Sequence, residues 1–255
     1  MLGAIAGDII GSAYERYPIK TKKFKLFSKY SIFTDDTVMT LAVAKSIIDN
    51  EDYIDNVIDF GTRYYDVGYG GSFRKWLKSR SHRPYNSWGN GSAMRVASIG
   101  FAFSSEQEVL REAKKSAEIT HNHTEGIKGA QATALAIFMA KIGKSKTEIK
   151  ATISKMFDYD LNRTVDKIRP NYKFHVSCQE SVPESIICFL DSDSYEDTIR
   201  NTISLGGDAD TMAAIAGGIA EAYYKEIPKE ILKNVYQRLP KEFLEIILRF
   251  KDEIK

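Results

Sequence analysis

Cysteine, net charge and long apolar runs are all scarce in this sequence of 255 residues. The two cysteines, Cys178 and Cys188, form neither a CxxC motif nor a metal-type spacing, which excludes a disulfide-stabilised scaffold and favours a reducing, cytoplasmic compartment. A formal net charge of +2 excludes a global electrostatic field that would attract nucleic acid or an anionic membrane. No segment approaches the roughly 18 apolar residues of a membrane span. The N-terminal segment carries Asp8 and lacks a basic region, so it does not have the pattern of a signal peptide.

Patterns typical of β-strands are also rare. Only residues 23–27 and 172–176 alternate between apolar and polar side chains, and neither has a convincing hairpin partner. Helical periodicity dominates instead, most clearly over residues 36–49 and over the Ala-rich segment 124–142. Together with a hydrophobic content of 43%, the length favours one domain over residues 1–255. We therefore predict a single all-α domain.

Helix boundaries and long loops are indicated as well. Patterns of the S-x-x-E capping box at Ser105 and Ser145 precede further helical segments. Residues 66–92 and 158–182 mix Gly, Pro, Asn and aromatic residues and resist a helical interpretation. Long loops of this kind in a compact domain are often functional. Three prolines stand at the head of helical patterns, where a missing N–H costs nothing: Pro183, Pro228 and Pro240.

Two short acidic motifs lie near opposite ends of the chain, and each precedes an apolar helical segment. Either motif alone is explained by helix capping, since Thr and Asp side chains accept hydrogen bonds from free N–H groups of the first turn. The pair carries more acid than two caps need, and if the motifs meet in space their carboxylates cannot be buried together without cations. Oxygen ligands without Cys or His favour Mg²⁺, Mn²⁺ or Ca²⁺ over zinc, and a two-metal site is the natural arrangement. The motifs are Thr34-Asp35-Asp36-Thr37 and Gly206-Gly207-Asp208-Ala209-Asp210-Thr211.

A third segment, residues 86–95 (NSWGNGSAMR), combines an aromatic side chain, amides and small residues. Small residues let the backbone approach a ligand, and free N–H groups at a following helix start suit a ribose or phosphate group. A turn stabilised by Asn and Gly explains the same residues without a ligand. His121 and His123 lie between two helical segments, where histidines more often cap a helix or face solvent than bind a ligand.

Taken in order, these motifs resemble those of the ADP-ribosylglycohydrolase family over residues 3 to about 224. The last motif and the GNGxAMR loop are specific, whereas GDxxG alone is weak. The resemblance implies an orthogonal α-helical bundle with a binuclear Mg²⁺ or Mn²⁺ centre at the base of an ADP-ribose cleft. The matching segments are Gly7-Asp8-Ile9-Ile10-Gly11-Ser12-Ala13-Tyr14-Glu15, Phe33-Thr34-Asp35-Asp36-Thr37, Gly89-Asn90-Gly91-Ser92-Ala93-Met94-Arg95, Thr120-His121 and Gly206-Gly207-Asp208-Ala209-Asp210-Thr211.

The resemblance also implies roles for individual residues. Glu15 is expected to transfer the proton, with Asp35 or Asp36 as a second base. The expected metal ligands are Thr34, Asp35, Asp36, Asp208, Asp210 and Thr211. The expected substrate-binding residues are Ser87, Trp88, Gly89, Asn90, Gly91, Ser92 and His121.

Cleavage at the anomeric carbon builds positive charge on the ribose, so catalysis needs a positioned sugar, a polarised leaving group and a water molecule. The sequence therefore predicts a monomeric, metal-dependent hydrolase that releases ADP-ribose from a protein side chain or a small molecule, with nucleic acid a substrate only as an ADP-ribosylated end. The match at Glu15 weakly favours the branch of the family that acts on serine-linked ADP-ribose. No residue distinguishes a serine-linked from an arginine-linked substrate, and no role is predicted for residues 158–182.

The sequence is also compatible with two other functions. A two-metal phosphohydrolase acting on a nucleotide derivative would use the same carboxylates, with Arg95 as the nearest candidate phosphate-binding residue. A protein that binds ADP-ribose without hydrolysing it would also keep the pocket, although the complete set of acids argues against it.

Overall fold

The computed structural model describes residues 1–254, and fourteen α-helices and one 3₁₀ turn (Asn90–Ser92) lie in that range. Those residues contain no β-strand, only an isolated antiparallel bridge between Gly89 and Ser177, so the all-α prediction is confirmed. None of these helices combines the length and the apolar character needed to cross a membrane. The helices are α1 (Leu2–Glu15), α2 (Asp35–Asp49), α3 (Tyr53–Arg63), α4 (Gly71–Leu77), α5 (Ala97–Ala102), α6 (Glu106–Glu118), α7 (Thr124–Lys141), α8 (Lys146–Phe157), α9 (Val165–Ile168), α10 (Cys178–Leu190), α11 (Tyr195–Ile203), α12 (Ala209–Tyr224), α13 (Lys229–Tyr236) and α14 (Lys241–Glu253).

Several helix boundaries lie where the sequence places them. Helix α8 begins with a complete capping box, in which the Ser145 hydroxyl accepts from the Glu148 amide and the Glu148 carboxylate accepts from the Ser145 amide. At the start of α6 the Ser105 hydroxyl accepts from the Glu108 amide, which is one half of the capping box. Pro228 and Pro240 immediately precede the first residues of α13 and α14, as predicted.

The prediction for Pro183 is wrong, because this proline lies inside α10 rather than at its head. The helix begins five residues earlier, at Cys178, with Ser177 as its N-cap. A proline at this depth removes the hydrogen bond to the carbonyl of Gln179. Gln179 is exposed, so solvent can satisfy that carbonyl and the helix continues.

The two long stretches are also less irregular than predicted. Residues 66–92 contain α4, a helix of seven residues whose Phe73 and Trp76 side chains are buried. Residues 158–182 contain α9 and the first turn of α10. Helices this short span too few turns for periodicity to reveal them.

The pairing of α1 with α12 places the candidate site. The two helices run antiparallel and approach so closely that a Cβ atom built on Gly7 would lie 2.0 Å from the carbonyl oxygen of Ala213. Gly11 lies equally close to Ala209, where an added Cβ would be 2.3 Å from the carbonyl oxygen. Only glycine permits this contact between backbones. As a result, the C-terminal end of α1, with Glu15, lies beside the N-terminal end of α12.

Candidate active site

A cavity of about 330 Å³ lies where the ends of α1, α2 and α12 meet. Its lining includes acidic residues from all three helix ends, aromatic residues and the glycine-rich segment around Asn90. The acidic lining residues are Glu15, Asp35, Asp36, Asp208 and Asp210.

The acidic motifs come together through Asp210, which belongs to two overlapping groups of carboxylates. In the first group one oxygen each of Asp8, Asp36 and Asp210 lie within 4.8 Å of one another. In the second group the same holds for Glu15, Asp208 and Asp210. Asp35 lines the cavity but belongs to neither group.

Burial and mutual repulsion both disfavour the charged form of these acids. Burial raises the pKa of Asp36 and of Asp210 well above the ordinary aspartate value, and neighbouring carboxylates raise it further. The same two causes raise the pKa of Asp35 to about 8. Burial likewise raises the pKa of Glu15, and Asp208 adds to that effect. Such a cluster is stable at neutral pH only if protons or cations neutralise it.

The donor set fits a hard divalent cation. Within residues 1–254 no lysine, arginine or histidine forms an ion pair with the clustered acids. Oδ1 of Asp36 is buried without a hydrogen-bond partner, although buried carboxylate oxygens are normally satisfied. Carboxylate and hydroxyl oxygens are the ligands that Mg²⁺, Mn²⁺ and Ca²⁺ prefer. The residues able to hold such ions are therefore the carboxylates of the two groups, with Thr211 beside them.

Helix capping explains one acidic motif in part and the other hardly at all. Thr34 is the N-cap of α2 and accepts from the Asp36 amide at 3.3 Å. Asp208 is the N-cap of α12, yet its side chain caps no amide of that helix and accepts from Nδ2 of Asn90 at 2.8 Å. The Asp208 carboxylate is therefore directed toward the glycine-rich segment and the cavity.

Asp8 is a buried acid to which the sequence assigned no role, although it lies in the first of the matching segments. It accepts hydrogen bonds from the amide of Thr34 at 3.0 Å, the hydroxyl of Thr34 at 2.7 Å and the amide of Thr37 at 3.1 Å, and from the hydroxyl of Thr37. These contacts fix the start of α2 against α1. The available signal was a single carboxylate within the otherwise apolar first nine residues of α1.

Some of the expected substrate-binding residues of the glycine-rich segment line the cavity, and others do not. Ser92 is fully buried and donates to the carbonyl of Gly126 at 2.7 Å. Trp88 is 54% exposed and contacts the edge of His123, which caps α7. Neither Ser92 nor Trp88 is among the lining residues. Those that do line the cavity are Ser87, Gly89, Asn90, Gly91 and His121.

The rest of the cavity is lined by the two stretches, residues 66–92 and 158–182, that the sequence predicted only to be long loops of a kind that is often functional. Phe174 and Val176 line the cavity from residues 158–182, and the carbonyl of Val176 accepts from the Asn90 amide at 2.8 Å. Residues 68–73, which include Tyr69 and Phe73, line it from the stretch 66–92. Tyr85 completes the aromatic lining.

The fold and the site together define a helical protein with a carboxylate-rich pocket, and comparison with known proteins identifies its family. The family model described as ADP-ribosylglycohydrolase matches residues 1–254. The ADP-ribosylhydrolase ARH3 of Homo sapiens is 29% identical, with 88% of this chain and 84% of the human protein covered. The ADP-ribosyl-(dinitrogen reductase) glycohydrolase of Rhodospirillum rubrum is 27% identical, with 94% and 90% covered.

A solved structure agrees with the fold. An ADP-ribosylglycohydrolase-related protein complex superposes with a TM-score of 0.77 at 24% identity, and 98% of this chain and 94% of the other are covered. The chain belongs to the ADP-ribosylglycohydrolase family.

Proposed function

We propose that this protein hydrolyses the glycosidic bond between ADP-ribose and an acceptor, a protein side chain above all, and releases free ADP-ribose. The observation that carries the proposal is the set of buried carboxylates, without a cationic partner in residues 1–254, along one cavity with the Asn90 segment and His121. Family membership and the activities in the names of the relatives in Homo sapiens and Rhodospirillum rubrum support the same reaction.

Two Mg²⁺ or Mn²⁺ ions are the cofactors that the acidic groups would hold. The ligands we propose are Thr34, Asp35, Asp36, Asp208, Asp210 and Thr211, and the geometry adds Asp8 as a candidate. Bound cations would supply positive charge that orients the ribose hydroxyls and stabilises negative charge developing beside them. The Thr34 hydroxyl donates to Asp8 at 2.7 Å, so Thr34 would also contribute by holding Asp8 in place.

Glu15 is the residue we assign to proton transfer. It lines the cavity at the end of α1 and is only half-buried, so both substrate and solvent can reach its carboxyl group. Its raised pKa favours the protonated form needed to donate a proton to a departing acceptor oxygen or nitrogen. Asp35 or Asp36 would then act as a second base toward the attacking water.

The walls of the cavity suit the rest of ADP-ribose. Ser87, Gly89, Asn90, Gly91 and His121 present amides, a hydroxyl and an imidazole to polar groups of the ligand. The aromatic residues on the opposite loops offer flat apolar surface that suits a base. Trp88, which is exposed, and Ser92, which is buried, would stabilise the conformation of this segment rather than contact the ligand.

Release of free ADP-ribose is the test. Serine-linked, arginine-linked and nucleic-acid-linked ADP-ribosyl substrates are incubated with Mg²⁺, with Mn²⁺ and with a chelator, for the wild type and for Asp210→Asn. The matched control is Asp252→Asn, at an exposed position in α14. We expect metal-dependent release in the wild type and control and its loss in Asp210→Asn.

Other results would point elsewhere. Release of AMP and ribose 5-phosphate from ADP-ribose would favour a phosphohydrolase. Tight binding of ADP-ribose without release from any substrate would favour a non-catalytic binder. Either result would contradict the proposed reaction.

A further inference from the structure

Arg95 is a fully buried cation on the wall of the cavity. Its side chain is 1% exposed, yet no acidic residue among residues 1–254 forms an ion pair with it. Nη2 donates to the carbonyl of Ser116 at 2.8 Å and to Oγ1 of Thr120 at 2.9 Å. Burial lowers the pKa of Arg95 to about 10, which leaves the guanidinium charged at neutral pH. A buried charge without a counterion destabilises the fold, so its presence calls for a function.

Thr120 connects this cation to His121. The Thr120 hydroxyl is fully buried and lies 2.7 Å from Nδ1 of His121. A guanidinium can only donate, so Oγ1 accepts from Arg95 and still has one proton to give. Within residues 1–254, Nδ1 of His121 is the only acceptor that proton can reach. Because a buried hydroxyl normally makes all its hydrogen bonds, the Thr120 hydroxyl donates to Nδ1 of His121. Nδ1 is then an acceptor, and the proton of the neutral imidazole lies on Nε2.

Nε2 of His121 faces the glycine-rich side of the cavity. A Cβ atom built on Gly91 would lie 3.2 Å from Nε2, and one built on Gly89 would lie 3.6 Å from it. Nε2 has no hydrogen-bond partner in residues 1–254, and His121 lines the cavity. Burial lowers the pKa of His121 well below its ordinary value, and the charge of Arg95 lowers it further. The ring is therefore a neutral donor with an unused N–H.

His121 is already expected to bind substrate; we propose that Arg95 and Thr120 are the positioning residues that hold its imidazole as an Nε2–H donor pointing into the cavity, so that it donates to an anionic oxygen of the ligand. The buried charge of Arg95 stands behind the ring and favours an anionic acceptor over a neutral one. If the ligand is ADP-ribose, the acceptor is an oxygen of its diphosphate. That last step rests on the proposed function, whereas the orientation of the imidazole does not.

The orientation is tested first, in protein without ligand. Long-range ¹H–¹⁵N correlation spectra of ¹⁵N-histidine-labelled protein at pH 7 report which ring nitrogen carries the proton, and His121→Gln assigns the signals among the four histidines. We expect the Nε2–H form with a hydrogen-bonded Nδ1. Thr120→Val should move the Nδ1 resonance toward that of an unbonded acceptor nitrogen, and Thr120→Ser should restore it. An Nδ1–H form or an imidazolium in the wild type would overturn the proposal.

Calorimetric binding of ADP-ribose tests the consequence. Thr120→Val should bind about tenfold more weakly, as expected for one impaired hydrogen bond to a charged group, while Thr120→Ser should bind as the wild type does. Equal affinity of Thr120→Val and the wild type for ADP-ribose would contradict the proposed role of Thr120 in positioning His121. If the wild type does not bind ADP-ribose at all, the proposed function fails, and the spectra alone decide the orientation of His121.

Discussion

Thr211 in α12 donates a 3.1 Å hydrogen bond from Oγ1 to Oδ2 of Asp36 in α2, although the two residues lie 175 positions apart. This contact joins the two acidic motifs directly. The second oxygen of Asp36, Oδ1, is buried without any partner. The arrangement therefore leaves an unsatisfied carboxylate oxygen among other carboxylates, a position that a cation or a proton must neutralise.

Removing one of these charges should have opposite effects on activity and on the stability of the metal-free protein. Asp210→Asn keeps the shape of the side chain and removes the charge that both carboxylate groups share. We expect activity to fall at least about 100-fold. In chelator the variant should be more stable than the wild type by about 1 kcal/mol or more, or roughly 2–4 °C in Tm. Thermal unfolding in chelator checks this, with Asp252→Asn as the control, and a lower Tm for Asp210→Asn would argue against electrostatic repulsion in the cluster.

The pH dependence of stability should differ between metal-free and metal-loaded protein. Because the folded state raises the pKa of these acids, it binds more protons than the unfolded chain does, and stability is lost as pH rises. For Asp35 the interval runs from the ordinary value of 3.8 to about 8. In chelator we expect the free energy of unfolding to decrease from pH 5 to pH 8. Mg²⁺ or Mn²⁺ should remove most of that decrease, and urea titrations at both pH values measure it.

Asp8 should behave differently from Asp210, because its carboxylate is satisfied by hydrogen bonds. An amide at this position keeps one acceptor oxygen and turns two N–H donors toward the amides and hydroxyls of Thr34 and Thr37. We expect Asp8→Asn to destabilise the protein by about 1–3 kcal/mol even in chelator. Chemical unfolding in chelator measures this difference, and an unchanged or higher stability would show that Asp8 is only another repelling charge.

Much of the fold could be predicted because its signals are local. The apolar segments that became α2 and α7 and the capping box at Ser145 each depend on residues within a few turns of one another. Pro183 could not be placed in the same way. A proline inside a helix is tolerated only when the freed carbonyl finds another partner, and that depends on exposure in the folded protein.

In the candidate site, too, the residues in local motifs could be predicted and those that depend on tertiary packing could not. Motifs indicated Asp36, Asp208 and Asp210, because the two acidic motifs together carry more acid than two helix caps need, although either alone is an ordinary cap. Their contact depends on how α1, α2 and α12 pack together, which the helical patterns of the separate segments do not specify. For that reason Asp8 received no role and Phe174 was not singled out: each becomes part of the site only through neighbours that are distant in sequence.

The close contact between α1 and α12 should be among the most sensitive features of the protein. Gly7→Ala would place a Cβ atom 2.0 Å from the carbonyl oxygen of Ala213, a backbone atom that cannot move without shifting α12 and with it Asp208. We expect a loss of about 1–3 kcal/mol in the free energy of unfolding, because overpacking a tight contact forces the backbone apart. Gly71→Ala is the matched control, since an added Cβ there meets no atom within 4 Å, and alanine at the start of α4 should be neutral or stabilising. Equal stability of the two variants in urea unfolding would show that the helices can separate freely, and the pairing of α1 with α12 would then not be what holds Glu15 beside Asp208.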